Sequence, residues 1–371
     1  MKQKVIFLLS HQPNPRFIKQ INYISKSKEV HVFHFSRNGL KELPMQSYYK
    51  NVKVEELAII QNFSFKTLYN RLFQYLVSVK RLRHIFKKNN FDFIIMNNID
   101  MYFLYRLSSF ALRKQLKKVI EISDLIYLHE KNNFFAKLFK FFEKIAFSKI
   151  DKVIFTSEKF YSNYYYKIYD RKYFILENKP LSNMLPKKIK KRKNKKVIIG
   201  IVGLLLQLET YKYLFDYIKN NKNFEVHIYG KGVYETEVKK YAEQNDNIKF
   251  FGSYNFFQDI SKIYSSIDII YMAYSSKIQS LNNKLALPNK LYEAMYFKVP
   301  IITSKNTYLG ELVENFSIGH AIDYSNNNEL RIALESILFK KEFFLKNFES
   351  LNEEIYLGDQ DYKKFLIFLD E

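Results

Sequence analysis

The feature that most constrains the fold is a repeated alternation of short apolar runs with longer segments of helical periodicity. In the first half of the chain the β-type runs are KVIFLL, EVHVFHF, FDFIIMN, KKVIEIS and DKVIFTS. Between them, RFIKQINYISKS, LYNRLFQYLVSVKRLRHIFKKN and FFAKLFKFFEKIAFSKI place apolar residues at three-and-four spacing, which is typical of amphipathic helices. This alternation predicts a parallel sheet with helices on its faces.

The alternation starts again after the stretch KPLSNMLPKKIKKRKNKK, with KVIIGIVG, FEVHIYG, NIKFFG, IDIIYMAY and VPIITS as further β-type runs. A chain of 371 residues that is 47% hydrophobic can build two cores. We therefore predict an α/β protein with two Rossmann-like doubly wound domains, residues 1–186 and 197–350, joined by a basic linker at 187–196. Residues 351–371 are predicted to be a C-terminal helical segment that could cross back to the first domain. Ligands of such sheets bind at the carboxyl ends of the strands, so we expect the site in a cleft between the domains.

Composition excludes several classes of site. The chain has no cysteine, which rules out disulfides, thiol nucleophiles and cysteine-ligated metals. The seven histidines are scattered, and we expect neither a bound metal ion nor another cofactor. The opening MKQKVIFLLS is interpreted as a first strand rather than a signal peptide, and the ten apolar residues VIIGIVGLLL are too few to span a bilayer. A cytoplasmic location is therefore expected.

Positive charge is concentrated in the first half of the chain. Residues 1–186 carry 33 Lys and Arg against 14 Asp and Glu, and residues 187–196 carry eight basic residues and no acidic one. The remainder is slightly acidic, although the whole chain has a formal charge of +23. This asymmetry indicates an anionic partner surface, either a membrane or nucleic acid. In FFAKLFKFFEKIAFSK, lysines alternate with phenylalanines, a pattern that suits an anionic membrane but also a helix packed on the core.

Two glycine-containing strand ends are candidate phosphate sites. Gly203 ends the run KVIIGIVG, and Gly230 with Lys231 follows FEVHIY. Glycine at a strand exit allows a phosphate to approach the backbone closely, and the N-terminus of a following helix favours negative charge. A strand can also need such a glycine for structural reasons alone, so these residues leave both interpretations open. Lys212 is the first basic residue after Gly203.

The stretch LPNKLYEAM carries a stronger signal. Pro288 fixes its own φ, and Asn289 suits the N-cap of a helix that would open at Lys290. Glu293 would then lie near the end of the first turn, where its carboxylate can accept hydrogen bonds from a diol such as a ribose. The helix N-terminus and Lys290 could hold a diphosphate. The alternative is a capped amphipathic helix whose glutamate only interacts with the helix dipole.

PNKLYEAMYFKVPIITS resembles the donor-site helix and following strand of retaining glycosyltransferases of family four, the glycosyl transferases group 1, which have the two-Rossmann GT-B fold. The resemblance extends in order over nearly the whole chain. NPRFIKQINYISKSKEVHVF, EKIAFSKIDKVIFTSEKF, FILENKP, VHIYGKG and NIKFFGSYNFFQDISKIYSSIDIIYMAY are similar to further motifs of that family.

The resemblance implies roles for individual residues. Glu293 should bind the ribose of a nucleotide-sugar, and its nucleotide and diphosphate should lie against Pro288, Asn289, Lys290, Leu291, Gly203, Gly230, Lys231 and Lys212. In the first domain the family often has Asp-x-His-(Asp/Glu). This chain has EISD there, which makes Glu121 and Asp124 the catalytic candidates, with Ser123 in place of the histidine. Asn14 and Arg16 should lie on the acceptor side. Leu285 stands where many members have a second glutamate, which leaves the donor sugar open.

The function that the resemblance implies is retaining, metal-independent transfer of a sugar from a nucleotide-sugar to a saccharide or lipid-linked saccharide. The setting would be bacterial capsule or lipopolysaccharide synthesis, with the protein peripheral on the inner face of the cytoplasmic membrane. Two alternatives stay open: a non-catalytic partner subunit of the same fold, favoured by Leu285 and Ser123, and a nucleic-acid binder or nucleic-acid-directed glucosyltransferase. The sequence carries no zinc-finger, helix-turn-helix or RNA-recognition pattern, so we expect no nucleic-acid partner.

Overall fold

The computed structural model describes residues 2–37, 52–60, 65–110, 116–189, 196–275 and 280–371. The chain divides into two compact units. The first contains Met1–Leu176 and Tyr362–Glu371, and the second contains Glu177–Asp361. Both units contain a parallel sheet with helices connecting its strands, as the alternation in the sequence predicts.

The first unit contains seven strands among its described residues. They are β1 Lys4–Leu9, β2 Glu29–Arg37, β3 Val52–Ile60, β4 Phe93–Met96, β5 Lys117–Ile122, β6 Lys152–Phe155 and β7 Tyr173–Ile175. The helices are α1 Pro15–Ile24, α2 Phe65–Lys88, α3 Ile99–Ser109, α4 Tyr127–Glu130, α5 Phe134–Phe147 and α6 Glu158–Asn163, with a short 3-10 turn at Tyr165–Lys167.

The sheet of the first unit has the order β3-β2-β1-β4-β5-β6-β7, with every adjacent pair parallel. The strand order reverses at β1, so the carboxyl ends of β1 and β4 lie at a topological switch point, where doubly wound sheets bind ligands. The apolar runs of the sequence correspond to β1, β2, β4, β5 and β6, whereas the outer strands β3 and β7 have no counterpart among the predicted runs.

The second unit contains six strands among its described residues. They are β8 Val197–Leu204, β9 Phe224–Lys231, β10 Ile248–Gly252, β11 Ile269–Met272, β12 Ile301–Ser304 and β13 Gly319–Ile322. The helices are α7 Leu208–Ile218, α8 Glu235–Gln244, α9 Phe256–Ser266, α10 Leu281–Leu285, α11 Asn289–Phe297, α12 Tyr308–Asn315, α13 Asn327–Phe339 and α14 Lys341–Ser350, with 3-10 turns at Ser182–Met184 and Glu353–Ile355. The last helix, α15 Asp359–Asp370, has its first three residues in this unit and the rest in the first unit.

The sheet of the second unit has the parallel order β10-β9-β8-β11-β12-β13. Two buried clusters cover it. One contains side chains of α7, α8 and α13, such as Leu214, Val238 and Leu334. The other contains side chains of α9, α11 and α12, such as Ile263 and Leu291. This two-sided burial explains why the strands are apolar runs rather than alternating ones.

The observed division of the chain differs in detail from the predicted one. The first unit ends at Leu176 and the second begins at Glu177, ten residues before the predicted end of the first domain. Residues 190–195, most of the predicted basic linker, lie outside the described residues. From Tyr362 onward α15 belongs to the first unit, where the Phe365 and Phe368 rings contact Phe174.

Candidate functional site

Two glycines create a close approach of backbones at the carboxyl edge of the second sheet. β8 and β9 pair in parallel up to their last residues, Leu204 and Lys231, and Gly203 lies opposite Gly230 one residue before those ends. Gly203 has φ +109° and Gly230 has φ +149°, values that favour glycine. A Cβ on Gly230 would overlap the Gly203 carbonyl. Because neither position accepts a side chain, the strand ends present bare backbone at the edge where doubly wound sheets bind ligands.

Lys290 extends over this glycine edge. A Cβ placed on Gly203 would overlap the Cε and Nζ atoms of Lys290, so the ammonium group lies directly against the end of β8. Lys290 is the second residue of α11, whose N-terminus carries partial positive charge. The structure therefore brings Gly203, Gly230 and Lys290 together, and the chemistry of this cluster suits an anion such as a diphosphate.

The start of α11 differs by one residue from the prediction. The helix begins at Asn289, with Pro288 in the N-cap position in extended conformation, rather than at Lys290 with Asn289 as the cap. The Asn289 side-chain oxygen instead accepts a hydrogen bond of 2.7 Å from Asn178 Nδ2. The Leu291 N–H donates to the Pro288 carbonyl at 3.0 Å. The Leu291 side chain is fully buried in the core, so its contribution to the fold is packing.

Glu293 lies one turn after Asn289 and is only 5% exposed. Its Oε2 accepts a hydrogen bond of 3.0 Å from the Tyr264 hydroxyl, and the Tyr264 ring stacks on Phe297. Burial raises the pKa of Glu293, while the Lys290 charge and the Tyr264 hydrogen bond partly oppose that rise. The amino-acid sequence alone does not identify Tyr264 as the partner of Glu293.

The two remaining predicted lysines of the second unit have different placements. Lys231 is the last residue of β9, exposed and adjacent to Gly230, with its carbonyl accepting a hydrogen bond of 2.9 Å from the Leu205 N–H. Lys212 is exposed on α7, between Tyr211, which is buried, and Tyr213. Lys231 therefore lies beside the glycine edge, whereas the position of Lys212 gives no argument for a ligand contact.

In the first unit, Glu121 is a buried ion-pair residue. It lies in β5 with no exposed surface, and its Oε1 is 2.8 Å from Arg16 Nε. Its Oε2 accepts a hydrogen bond of 2.5 Å from Gln20 Nε2. Arg16 also donates to the Ser123 hydroxyl. Glu121 is thus held in a buried ion pair, and the same network holds Arg16. The catalytic role of Glu121 stays a prediction.

Asn14 and Asp124 occupy two different environments. The Asn14 side chain caps α1 by accepting a hydrogen bond of 3.1 Å from the Phe17 N–H, which gives it a structural role at the helix start. Asp124 follows β5, is exposed, and lines a cavity of about 810 Å³ within the first unit. Of the two predicted catalytic carboxylates, Asp124 is the one that a substrate can reach.

The described residues contain neither a metal-binding cluster nor a membrane-spanning helix. Across residues 2–37, 52–60, 65–110, 116–189, 196–275 and 280–371 there is no group of three or more histidine and acidic side chains that could hold a metal ion. Within those ranges, every helix is too short or too polar to cross a bilayer.

Part of the chain is similar to a known family. Residues 185–350 match the family model for glycosyl transferases group 1. No curated protein matches the chain.

Solved structures share the fold at low sequence identity. The lipopolysaccharide outer core galactosyltransferase WaaB has a TM-score of 0.67 at 13% identity, over 99% of each chain. HepE of Anabaena in complex with UDP has a TM-score of 0.72 at 15% identity, over 99% of this chain and 100% of that one. A TarM mutant of S. aureus in complex with fondaparinux, alpha-GlcNAc-glycerol and UDP has a TM-score of 0.66 at 14% identity, over 100% of each chain. The chain therefore shares the two-domain GT-B fold of these structures, and its residues 185–350 match the model for glycosyl transferases group 1.

Proposed function

We propose that the protein transfers a sugar from a UDP-sugar to a saccharide acceptor, with retention of the anomeric configuration and without a metal ion. The observation that carries the proposal is the cluster of Gly203, Gly230 and Lys290, with the buried carboxylate of Glu293 on the same helix as Lys290. HepE and TarM were solved with UDP, which supports uridine as the nucleoside.

The donor would be held by two parts of this cluster. Its diphosphate would lie against the bare backbone of the glycine edge, where the Lys290 ammonium and the N-terminus of α11 meet its charge. The ribose would hydrogen-bond to Glu293. Because Tyr264 occupies Oε2, the Oε1 atom is the acceptor for the ribose hydroxyls.

The transfer step would follow from this placement of charge. The acceptor hydroxyl oxygen forms a bond to the anomeric carbon while the bond from that carbon to the diphosphate oxygen breaks. The hydroxyl proton passes to the released diphosphate, so no protein nucleophile is needed. The protein contributes by stabilising the negative charge that develops on the diphosphate and by holding the acceptor in place. Asp124, exposed after β5, would orient the acceptor hydroxyl.

The acceptor side would lie in the first unit, and we propose a lipid-linked saccharide of a bacterial surface glycan. α5 presents exposed phenylalanines, such as Phe134 and Phe135, beside Lys137 and Lys144. Aromatic rings and basic side chains on one helix suit the surface of an anionic membrane, where each basic residue contributes about 1 kcal/mol. We therefore place the protein at the inner face of the cytoplasmic membrane.

A non-catalytic partner subunit is the second candidate function. Leu285, which stands where many family-four enzymes have a glutamate, is 9% exposed and belongs to the buried residues of the second unit. Ser123 replaces a common histidine and binds Arg16. Leu285 removes a carboxylate from the expected site, and Ser123 replaces an imidazole by a hydroxyl. Turnover of the donor distinguishes the two functions.

We expect slow hydrolysis or transfer from at least one UDP-sugar in buffer containing EDTA. Proton NMR should show the first-formed sugar product in the donor's anomeric configuration.

Glu293→Gln should lower kcat/KM roughly 30- to 150-fold, a loss of about 2–3 kcal/mol of transition-state stabilisation, because a charge-assisted hydrogen bond is lost. Glu237→Gln, on the exposed face of α8, is the matched control and should keep full activity. Full activity of folded Glu293→Gln, or activity that requires added manganese or magnesium, would contradict the proposal.

Burial raises the pKa of Glu293 above 4.5, the ordinary value for a glutamate. As the solution is acidified, UDP-glucose affinity should therefore begin to fall before the pH reaches 4.5. Protonation then removes the charged acceptor that the ribose needs. Binding favours the ionised form, so complex formation at acidic pH should release a proton, which titration calorimetry in two buffers of different ionisation enthalpy detects. The Glu293→Gln variant should bind without this proton release. Equal proton release by both proteins would show that another group titrates.

The full chain should bind vesicles that contain phosphatidylglycerol and should dissociate at high salt, because screening weakens the attraction of basic residues to the surface. Replacing Lys137, Lys140 and Lys144 by glutamate should weaken binding at least tenfold in a sedimentation assay. The matched control replaces Lys222, Lys239 and Lys240 of the second unit, which makes the same change in net charge. Equal losses for the two triple variants would mean that net charge rather than α5 drives binding.

A further inference from the structure

The proposed function leaves the cavity beside Asp124 in the first unit unexplained. It has a volume of about 810 Å³, which falls within the range of about 300–1,000 Å³ that is usual for small-molecule sites. Its walls come from α3, α4, α5 and the residues that follow β4 and β5. Most of its lining is apolar, with Ile99, Phe103, Ile126, Leu128, Phe139 and Phe142.

The polar groups of the cavity floor are satisfied by one another. The Ile126 N–H donates to His129 Nδ1 at 2.9 Å, which places the imidazole proton on Nε2, and Nε2 lies 2.9 Å from Glu143 Oε1. The hydroxyls of Tyr164 and Tyr165 also donate to Glu143, at 2.7 and 2.9 Å. Burial and the Glu143 charge raise the pKa of both tyrosines, so they remain hydrogen-bond donors. A ligand at this floor meets closed hydrogen bonds, which suits an apolar group.

The polar end of the cavity lies at the carboxyl ends of the strands. Asp124 follows β5, and Asn98 and Asp100 follow β4. Asp100 accepts a hydrogen bond of 2.8 Å from the Tyr75 hydroxyl, and Asn98 donates to the Ser10 hydroxyl at 2.8 Å. Two carboxylates at this end attract hydroxyl donors and repel a phosphate. The polar end is therefore suited to a neutral sugar.

The apolar wall continues to the protein surface along α5. The Phe142 ring contacts Phe103 inside the cavity lining and Phe141 on the outside, with centroid distances of 5.8 and 5.7 Å. Phe141 is exposed, as are Phe134 and Phe135 at the start of the same helix. A long apolar chain that leaves the cavity would therefore meet exposed aromatic side chains of α5.

From these observations we propose that the cavity binds the apolar chain of a glycolipid acceptor, with a neutral sugar directly attached to that chain positioned at Asp124. The inference rests on the proposed transferase function, and it specifies the chemical class of the acceptor. The proposed acceptor is a neutral glycolipid, and not one with a phosphate group between its sugar and its apolar chain, because that phosphate would lie close to Asp100 and Asp124.

The test is calorimetric titration of the full chain with octyl and decyl β-glucoside below their micelle concentrations. Two added methylenes should increase the affinity roughly 15-fold if the chain is buried in the cavity. Decyl phosphate should bind at least tenfold more weakly than decyl glucoside. Phe142→Glu should weaken decyl glucoside binding at least tenfold, whereas Phe110→Glu, at an exposed phenylalanine that follows α3 and does not line the cavity, should change it less than twofold. The two side chains are both exposed in part, so neither variant removes a core residue.

Three results would overturn the inference: affinity that does not depend on chain length, equal loss for both phenylalanine variants, or decyl phosphate that binds as tightly as the glucoside. UDP-glucose binding measured on the same samples separates this inference from the proposed function. If UDP-glucose binds and the alkyl glucosides do not, the acceptor assignment fails while the donor site stands. If the glucosides bind as expected and UDP-glucose does not, the cavity is a glycolipid site and the transferase proposal fails.

Discussion

The close approach of Gly230 to the Gly203 carbonyl is the constraint on which the proposed donor site depends. It brings the ends of β8 and β9 together without side chains and leaves room above Gly203 for the Lys290 ammonium. A side chain at Gly230 would displace the Gly203 backbone, and one at Gly203 would displace the Lys290 side chain. Both residues also have a positive φ, which favours glycine. The same helix that carries Lys290 carries Glu293, so one rigid element sets the spacing between a cation and a carboxylate.

A second constraint operates in the first unit. The buried pair of Arg16 and Glu121 links the start of α1 to the end of β5, and Gln20 and Ser123 complete its hydrogen bonds. Burying this pair costs desolvation energy, and removing one partner would leave an uncompensated charge, at a cost of about 3–5 kcal/mol. Its structural effect is to fix the segment in which Ser123 and Asp124 follow β5. Glu121 thus helps to position the exposed Asp124, while its catalytic role stays a prediction.

The sequence allowed prediction of most inner strands because buried parallel strands are continuous apolar runs. It failed for β3, whose VKVEELAII contains three charged residues, and for the short strands β7 and β13. Local chemistry made Gly203, Gly230, Lys290 and Glu293 candidates, and the resemblance to family four gave them their donor-site roles. The partners Tyr264 and Arg16 could not be assigned, because Tyr264 lies 29 residues from Glu293 and Arg16 lies more than 100 residues from Ser123. The apolar cavity was missed for the same reason, since α3, α4 and α5 form it together.

The central claim is that Lys290 and the glycine edge hold the diphosphate of the donor. The most direct test is the ratio of UDP to UMP affinity, measured by calorimetry in buffer containing EDTA for the wild-type chain and for Lys290→Met. The wild-type protein should bind UDP at least tenfold more tightly than UMP, because the second phosphate reaches the Lys290 ammonium, and a hydrogen bond to a charged group contributes about 1.5–3 kcal/mol. Lys290→Met should lose most of this ratio while UMP affinity changes little. An unchanged UDP to UMP ratio in a folded Lys290→Met protein would contradict the account.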